Sequence, residues 1–207
     1  MTRNRGEQTR RAIVEAGLGL ATEEGLSAVT LDRVAERVGV TKQAVLYHVG
    51  TKRGLLLALL VDALGEEADA LTASIRDARS AHEAVVSFLS SAVDYYLTNL
   101  VRFRAIYVAV QVSGPPIPEE DRARVIYPTT SRIYDALEDA LAADPTVDPE
   151  LDLRKAAVGV HFAAVGVACY AAMLEAAGET LRHDIRELTS QLAEVIGRGM
   201  VGRARRL

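Results

Sequence analysis

Side chains that can bind nucleic acid are concentrated in one short segment, Lys42 to His48. It holds an ammonium, an amide, a phenol and an imidazole. A Lys side chain reaches the acceptors of guanine, Gln pairs two-fold with adenine, and an apolar side chain such as Leu46 contacts a thymine methyl group. The Tyr47 hydroxyl can donate to a phosphate oxygen. The segment therefore predicts base and phosphate contacts to DNA, if one rigid element holds these side chains on an exposed surface.

That element is predicted to be a helix-turn-helix. The segment from Thr30 to Val49 fits two short helices joined by a tight turn at Gly39, with Thr30 and Thr41 as N-caps. Ala35 is small enough for the two helices to cross closely, and Gly39 supplies the backbone conformation that the turn needs. In such motifs the second helix enters the major groove, with its first residues towards the bases.

From Gly39 to Lys52 the sequence resembles the TetR family of one-component transcriptional regulators, whose usual run is G-V-[ST]-x-x-x-[LIV]-Y-x-H-F-x-[SN]-K. Leu46 replaces the family's first aromatic residue, and Val49 replaces the aromatic residue after His48. The resemblance implies a phosphate-binding role for Lys52, where a helix N-terminus also favours anions. The candidate DNA-contacting residues are Thr30, Thr41, Lys42, Gln43, Ala44, Leu46, Tyr47, His48 and Lys52.

Charge and composition fit a modular helical protein of 207 residues. Residues 1–60 carry nine Lys or Arg against six Asp or Glu, a net charge of +3, whereas residues 61–207 carry fifteen against twenty-two, a net charge of −7. A basic head suits a surface that must neutralise phosphates. Apolar residues recur at helical spacing, which predicts an all-α fold. The resemblance implies a helix-turn-helix domain with three N-terminal helices (residues 7–67, motif at 30–49) and a larger helical ligand-binding and dimerisation domain (68–207).

Capping residues and prolines predict where the helices begin and end. The fifth helix is expected to begin with a capping box at Ser80, and a helix through Phe103 and Tyr107 is expected to end at the proline-rich loop 113–118. The other expected helices cover residues 7–24, 31–38, 42–48, 52–77, 119–143, 150–177 and 180–200.

Aromatic and polar side chains share helix faces in the second domain, which is typical of ligand pockets. A cavity bounded by three helices is expected to take a small, mostly apolar or amphipathic effector. The candidate ligand-binding residues are Phe103, Tyr107, Gln111, Tyr127, Tyr134, His161, Phe162, Tyr170 and Met173. Aromatic residues at helical spacing are also common in ordinary cores, so core packing is the alternative interpretation, and for His161 in particular.

The last two long helices are expected to form a homodimer. Small residues such as Gly159, Ala163 and Gly166 let another helix approach closely, and two helices from each copy would form an isologous four-helix bundle. Burial within one chain is the alternative. The apolar run 156–174 is long enough to cross a membrane, but its Ala, Gly and Val content favours a packed helix, so no membrane partner is expected. The basic tail 203–206 is expected to be a solvated end.

Other classes of function have little support in the sequence. The polar start predicts no signal peptide, and the single Cys permits no disulfide within the chain, so a cytoplasmic protein is expected. No phosphate loop, zinc-type spacing or nucleophile elbow is found, so an enzyme, a metal or a cofactor is not expected. The prediction is a dimeric repressor that an effector releases from a palindromic double-stranded DNA operator. Two alternatives stay open, a helical small-molecule-binding protein or enzyme without DNA function, and a DNA binder controlled by a protein partner.

Overall fold

The fold is all-α, as predicted. A computed structural model describes residues 2–104, 107 and 117–201, with the side chains of residues 2–5 and 101 left out. Those residues contain no strand, although Val147 and Val201 form an isolated antiparallel bridge. Its longer helices are α1 (Thr2–Glu24), α2 (Leu31–Val38), α3 (Lys42–Val49), α4 (Lys52–Ser74), α5 (Ala81–Thr98), α6 (Tyr127–Ala142), α7 (Leu153–Ala177) and α8 (Ile185–Gly199).

Several helix bounds differ from those predicted. α1 begins at Thr2 rather than near residue 7, and α4 ends at Ser74 rather than near residue 77. α8 begins at Ile185 rather than at 180, because the Asp184 carboxylate accepts hydrogen bonds from the first backbone N–H groups. α7 begins at Leu153 rather than at 150 for the same reason, since the Asp152 side chain is its cap.

The continuous helix expected over residues 119–143 is interrupted. A helical turn, Glu119–Asp121, leads into a π-helix, Arg122–Ile126, and α6 begins only at Tyr127. Pro128 lies in the first turn of α6, where its missing N–H would have had no helical partner in any case. The backbone nevertheless stays helical from Glu119 to Ala142, since the π-helix runs directly into α6 and Ile126 has α-helical dihedral angles. The earlier helix through residue 103 is described only as the turn Leu100–Phe103.

The chain forms two compact units, and the first comprises residues 1–65 and 101–122. Its core is made of apolar side chains from α1 to α4, including Ile13, Val34, Val45 and Leu55, each fully buried. Because the buried positions follow helical spacing on all four helices, each helix places one apolar stripe in a common core. The opposite faces of α2 and α3 are left for polar side chains.

The second unit comprises residues 66–100 and 123–207, and α5 packs against α6, α7 and α8. Ser80 caps α5 as predicted, since its hydroxyl accepts a hydrogen bond from the Glu83 N–H. Asp144 also supports this helix start, because its Oδ2 accepts from the Ala81 N–H at 2.8 Å. Hydrogen bonds from the Thr146 hydroxyl and N–H, then from Ala81, lower the pKa of Asp144 below its ordinary value of 3.8.

α7 is long and apolar enough to cross a membrane by length and composition alone. The core helix of a protein that spans no membrane passes the same test. Here Ala157, Val160, Ala164 and Ala168 are buried in the second unit, where α7 packs against α5 and α6. The small side chains thus serve close packing between helices in the described structure.

Candidate nucleic-acid interface

The recognition helix α3 is anchored by one face and exposes the other. Val45 is completely buried in the core of the first unit. Lys42 and Gln43 are exposed, and Tyr47 exposes 86% of its surface, so its ring buries almost nothing within the described residues. An aromatic side chain this exposed is available to a partner. Ala44 and Leu46, the two apolar candidates, are half-buried beside them.

Capping bonds fix the two helices of the motif. The Thr30 hydroxyl oxygen accepts from the Arg33 N–H and the Thr41 hydroxyl oxygen accepts from the Ala44 N–H, both at 3.2 Å. Each hydroxyl still has its own hydrogen to donate, so capping does not exclude a phosphate contact. Gly39 has φ +74°, the left-handed conformation that the turn between α2 and α3 requires.

The junction between α3 and α4 places Lys52 at a helix start. Thr51 caps α4, because its hydroxyl oxygen accepts from the Gly54 N–H at 3.0 Å. A Cβ on Gly54 would lie 1.9 Å from the Val49 carbonyl oxygen, so only glycine permits this close approach. Lys52 is exposed at the first position of α4, where backbone N–H groups also favour an anion.

Cations of the first unit are mostly paired within the protein. Over residues 6–65, where side chains are described, five of the seven Lys and Arg residues contact a carboxylate: Arg11–Glu15, Arg33–Glu24, Arg37–Glu23, Lys42–Asp32 and Arg53–Asp121. Arg10 instead donates to the His48 carbonyl oxygen at 3.0 Å, at the end of α3. Lys52 has no partner in the part of the chain that the structure describes. Among these seven cations, the Lys52 ammonium is therefore the one most open to an external phosphate.

His48 and Tyr47 form an edge-to-face ring pair with centroids 5.2 Å apart. The His48 side chain is half-buried, whereas the Tyr47 ring stands clear of the surface. The nine candidate DNA-contacting residues thus lie on two caps, one helix and the start of the next. Sequence reasoning missed three residues that shape this surface: Arg10, Asp32 and Gly54.

Two of the ligand-binding candidates, Tyr134 and His161, come together in the second unit. His161 Nδ1 lies 3.3 Å from the Tyr134 hydroxyl, and its Nε2 lies 2.8 Å from the Tyr96 hydroxyl. The Tyr96 hydroxyl donates to Glu67 Oε1 at 2.6 Å, so its oxygen can accept a hydrogen bond from His161 Nε2. We call Glu67, Tyr96, Tyr134 and His161 the buried polar cluster.

Burial shapes the electrostatics of this cluster. Glu67 is fully buried and His161 is almost so, an arrangement that persists only when the polar groups bond to one another. Burial raises the pKa of Tyr134, and the nearby Glu67 carboxylate raises it further. His161 is therefore hydrogen-bonded within the second unit, and its role in effector binding stays a prediction.

The other described ligand-binding candidates are distributed over both units. Phe103 is buried in the first unit and stacks on Tyr107, with ring centroids 5.0 Å apart. Four other candidates have exposed side chains: Tyr127, Phe162, Tyr170 and Met173. Gln111 and the tail 203–206 lie outside the described residues. An apolar groove of about 370 Å³ between α7 and α8 includes Tyr170, with Ala163, Gly166, Val167, Leu181, Ile185, Leu188 and Leu192 as its other lining residues.

Within the described residues, no group of three or more His, Cys, Asp or Glu side chains is arranged to hold a metal ion.

Two capped helices joined at a left-handed glycine, with a polar outer face on the second helix, define a helix-turn-helix domain. Residues 13–59 match the family model described as "Bacterial regulatory proteins, tetR family". The chain is 29% identical over 147 residues to the HTH-type transcriptional regulator Rv1816 of Mycobacterium tuberculosis, covering 68% of this chain and 59% of that protein. It is 30% identical over 95 residues to the class D tetracycline repressor protein of Escherichia coli, covering 46% and 41%.

A solved structure extends the likeness in fold to almost the whole chain. The transcriptional regulator FadR from Bacillus subtilis, crystallised in complex with stearoyl-CoA, superposes with a TM-score of 0.72 at 15% identity, covering 91% of this chain and 98% of that one. At this identity the likeness concerns the fold alone. Residues 13–59 thus match the tetR family of bacterial regulatory proteins, and the rest of the chain shares the fold of a solved regulator.

Proposed function

We propose that this protein is a transcriptional regulator that binds a palindromic DNA operator through α3 and acts by binding rather than by catalysis. The observation that carries the proposal is the outer face of α3, where Lys42, Gln43 and Tyr47 are exposed; Lys52 at the start of α4 is also exposed and has no partner among the described residues. The first two side chains can read base edges, and the other two can hold the phosphate backbone. Thr30, Thr41, Ala44, Leu46 and His48 complete the proposed contact surface.

We assign DNA binding to residues 7–67 and dimerisation with effector binding to residues 68–207. The apolar groove between α7 and α8 supports a homodimer, because Phe162, Met173, Leu188 and Val195 are exposed apolar side chains on the same two helices. A second copy would bury them in an isologous four-helix bundle. Two recognition helices about 34 Å apart would then meet successive major grooves of one operator.

The proposed regulator is a cytoplasmic repressor. Its proposed effector is a small apolar or amphipathic molecule that binds in the second unit. The buried polar cluster offers hydrogen-bonding groups within an otherwise apolar core, which suits such a ligand. A relative in fold, FadR of Bacillus subtilis, was crystallised with stearoyl-CoA. To weaken operator binding about 100-fold, the effector needs about 2.7 kcal/mol of preference for the form with another helix spacing.

A hydroxyl-radical footprint on the DNA flanking the protein's own gene tests the proposed function. We expect two protected half-sites related by a near two-fold axis, with centres about one helical turn apart. The Gln43→Ala variant is expected to lose protection at the operator while it keeps salt-sensitive binding to unrelated DNA, because Gln43 is proposed to read bases and not phosphates. Protection that is uniform along the DNA, with no preferred site at any salt concentration, would contradict a sequence-specific regulator.

A further inference from the structure

An ion pair between Asp32 and Lys42 lies on the proposed DNA-binding surface. The Asp32 Oδ2 atom in the first turn of α2 lies 2.8 Å from the Nζ atom of Lys42, the first residue of α3. Both side chains are open to solvent, at 69% and 50% exposure, so the pair is accessible to DNA. Lys42 is the only Lys or Arg in α3. The Asp32 carboxylate thus offsets the positive charge of Lys42 at the start of the recognition helix.

An exposed ion pair of this kind contributes little to folding, because water and salt screen it. Its effect on DNA binding is different, since each phosphate in the duplex is negatively charged. For Lys42 to neutralise a phosphate, the ammonium must leave Asp32, and the carboxylate is then left unpaired close to the DNA backbone. Contact with a base edge does not require the ion pair to break. An ammonium has three donors, so Lys42 can stay bonded to Asp32 while it donates to guanine O6 or N7.

We propose that Asp32 is a specificity-determining residue that directs Lys42 to a base edge and withholds it from phosphates on unrelated DNA. This inference rests on the proposed function, because it presumes that α3 enters the major groove. It assigns a role to a residue of α2 that is outside the predicted contact set. The carboxylate weakens binding to all DNA, and it weakens non-specific binding most, so the ratio of specific to non-specific affinity rises.

The size of the effect follows from counterion release. Each additional phosphate contact steepens the dependence of log affinity on log salt by about 0.9, so two protomers give about 1.8. Between about 50 and 200 mM salt this corresponds to a factor of roughly 12. We therefore expect the gain in affinity of Asp32→Asn for unrelated DNA to shrink by roughly 12-fold as salt rises from about 50 to 200 mM, with a smaller change on the operator.

The experiment uses full-length protein and two duplex probes. One is a random pool of about 30 base pairs, long enough for two half-sites, and the other is the duplex that wild-type protein enriches from that pool. Affinities for both are measured over a range of salt for wild type, Asp32→Asn and Glu36→Gln. Glu36 is the matched control, because it is an exposed carboxylate one turn further along α2 and its removal changes the net charge equally. Thermal unfolding of each variant checks that the fold is retained.

We expect Asp32→Asn to bind the random pool more tightly than wild type does, with a steeper salt slope. The ratio of its affinity for the enriched duplex to its affinity for the pool should fall, and the sequence that it enriches should be that of wild type. In a Lys42→Gln background the same substitution should have no such effect, because the pair no longer exists. Equal behaviour of Asp32→Asn and Glu36→Gln would overturn the inference, since only general charge would then matter. So would a gain that persists without Lys42, or a changed base preference with an unchanged salt slope. If wild-type protein itself enriches no sequence, the proposed function fails together with the inference.

Discussion

Replacing Lys52 with Ala removes an exposed ammonium from the start of α4, where it has no partner among the described residues. Because no internal ion pair must break, each Lys52 that meets a phosphate should release counterions at full effect. One lost contact makes the salt slope shallower by about 0.9, and two protomers make it shallower by about 1.8. The affinity advantage of wild type over Lys52→Ala should therefore shrink by roughly 12-fold as salt rises from about 50 to 200 mM.

The assay is equilibrium binding to the enriched duplex and to the random pool, with fluorescence anisotropy at several salt concentrations. The loss should be nearly equal on both probes, because a phosphate contact reads no sequence. Arg53→Ala is the matched control, since Arg53 is the next residue and its guanidinium lies 4.0 Å from the Asp121 carboxylate. It should change the slope less. A Lys52→Ala protein with an unchanged slope and an altered sequence preference would refute the assignment of Lys52 to the backbone.

Three further predictions concern the scaffold. Gly39→Ala should destabilise the protein by about 1–2 kcal/mol in urea unfolding, because Gly39 has φ +74°, which an alanine rarely adopts. Gly65→Ala should stabilise the protein by about 0.5–1 kcal/mol, because Gly65 is a helical residue of α4 with open space around it. Equal effects of the two substitutions would contradict the role of Gly39 in the turn. Tyr96→Phe should lower the unfolding free energy by about 1–3 kcal/mol, because buried Glu67 loses a donor, and an unchanged melting temperature would argue against that bond. The pKa of Asp144 is lowered in the folded protein, so the stabilisation by its carboxylate is present above pH 3.8 and is lost as the pH falls through the folded pKa. The unfolding free energy of Asp144→Asn should therefore be lower than that of wild type at pH 7 and should approach it in acid. A difference that stays constant with pH would contradict this prediction.

The helix-turn-helix could be predicted from the sequence because its determinants are local. Thr30 and Thr41 each cap a helix with an N–H three residues away, and Gly39 adopts its turn conformation without help from distant residues. Caps of this kind leave a recognisable spacing in the sequence. The start of α8 could not be predicted as well, since the helix was expected from residue 180 and the structure begins it at Ile185, after the Asp184 cap.

The interactions that sequence reasoning missed are contacts between helices. Asp32 and Lys42 meet because α2 and α3 cross, a fact that the spacing of ten residues does not reveal. The buried polar cluster draws one side chain from each of four helices, and Glu67 follows another glutamate in a segment that suggests a solvated face. Its burial depends on Tyr96 and His161, which are distant in sequence.

The distribution of lysines offers a direct test of the central claim, that the surface from Lys42 to Lys52 meets DNA. The chain contains three lysines, Lys42, Lys52 and Lys155, and the third is 84% exposed on α7 in the second unit. Acetylation of the three amines is measured by mass spectrometry with and without a saturating amount of the enriched duplex. Bound DNA should protect Lys42 and Lys52 and leave Lys155 reacting at its free rate. Protection of Lys155 alone, or equal reactivity of all three amines in the bound complex, would contradict the assignment of α3 as the recognition helix.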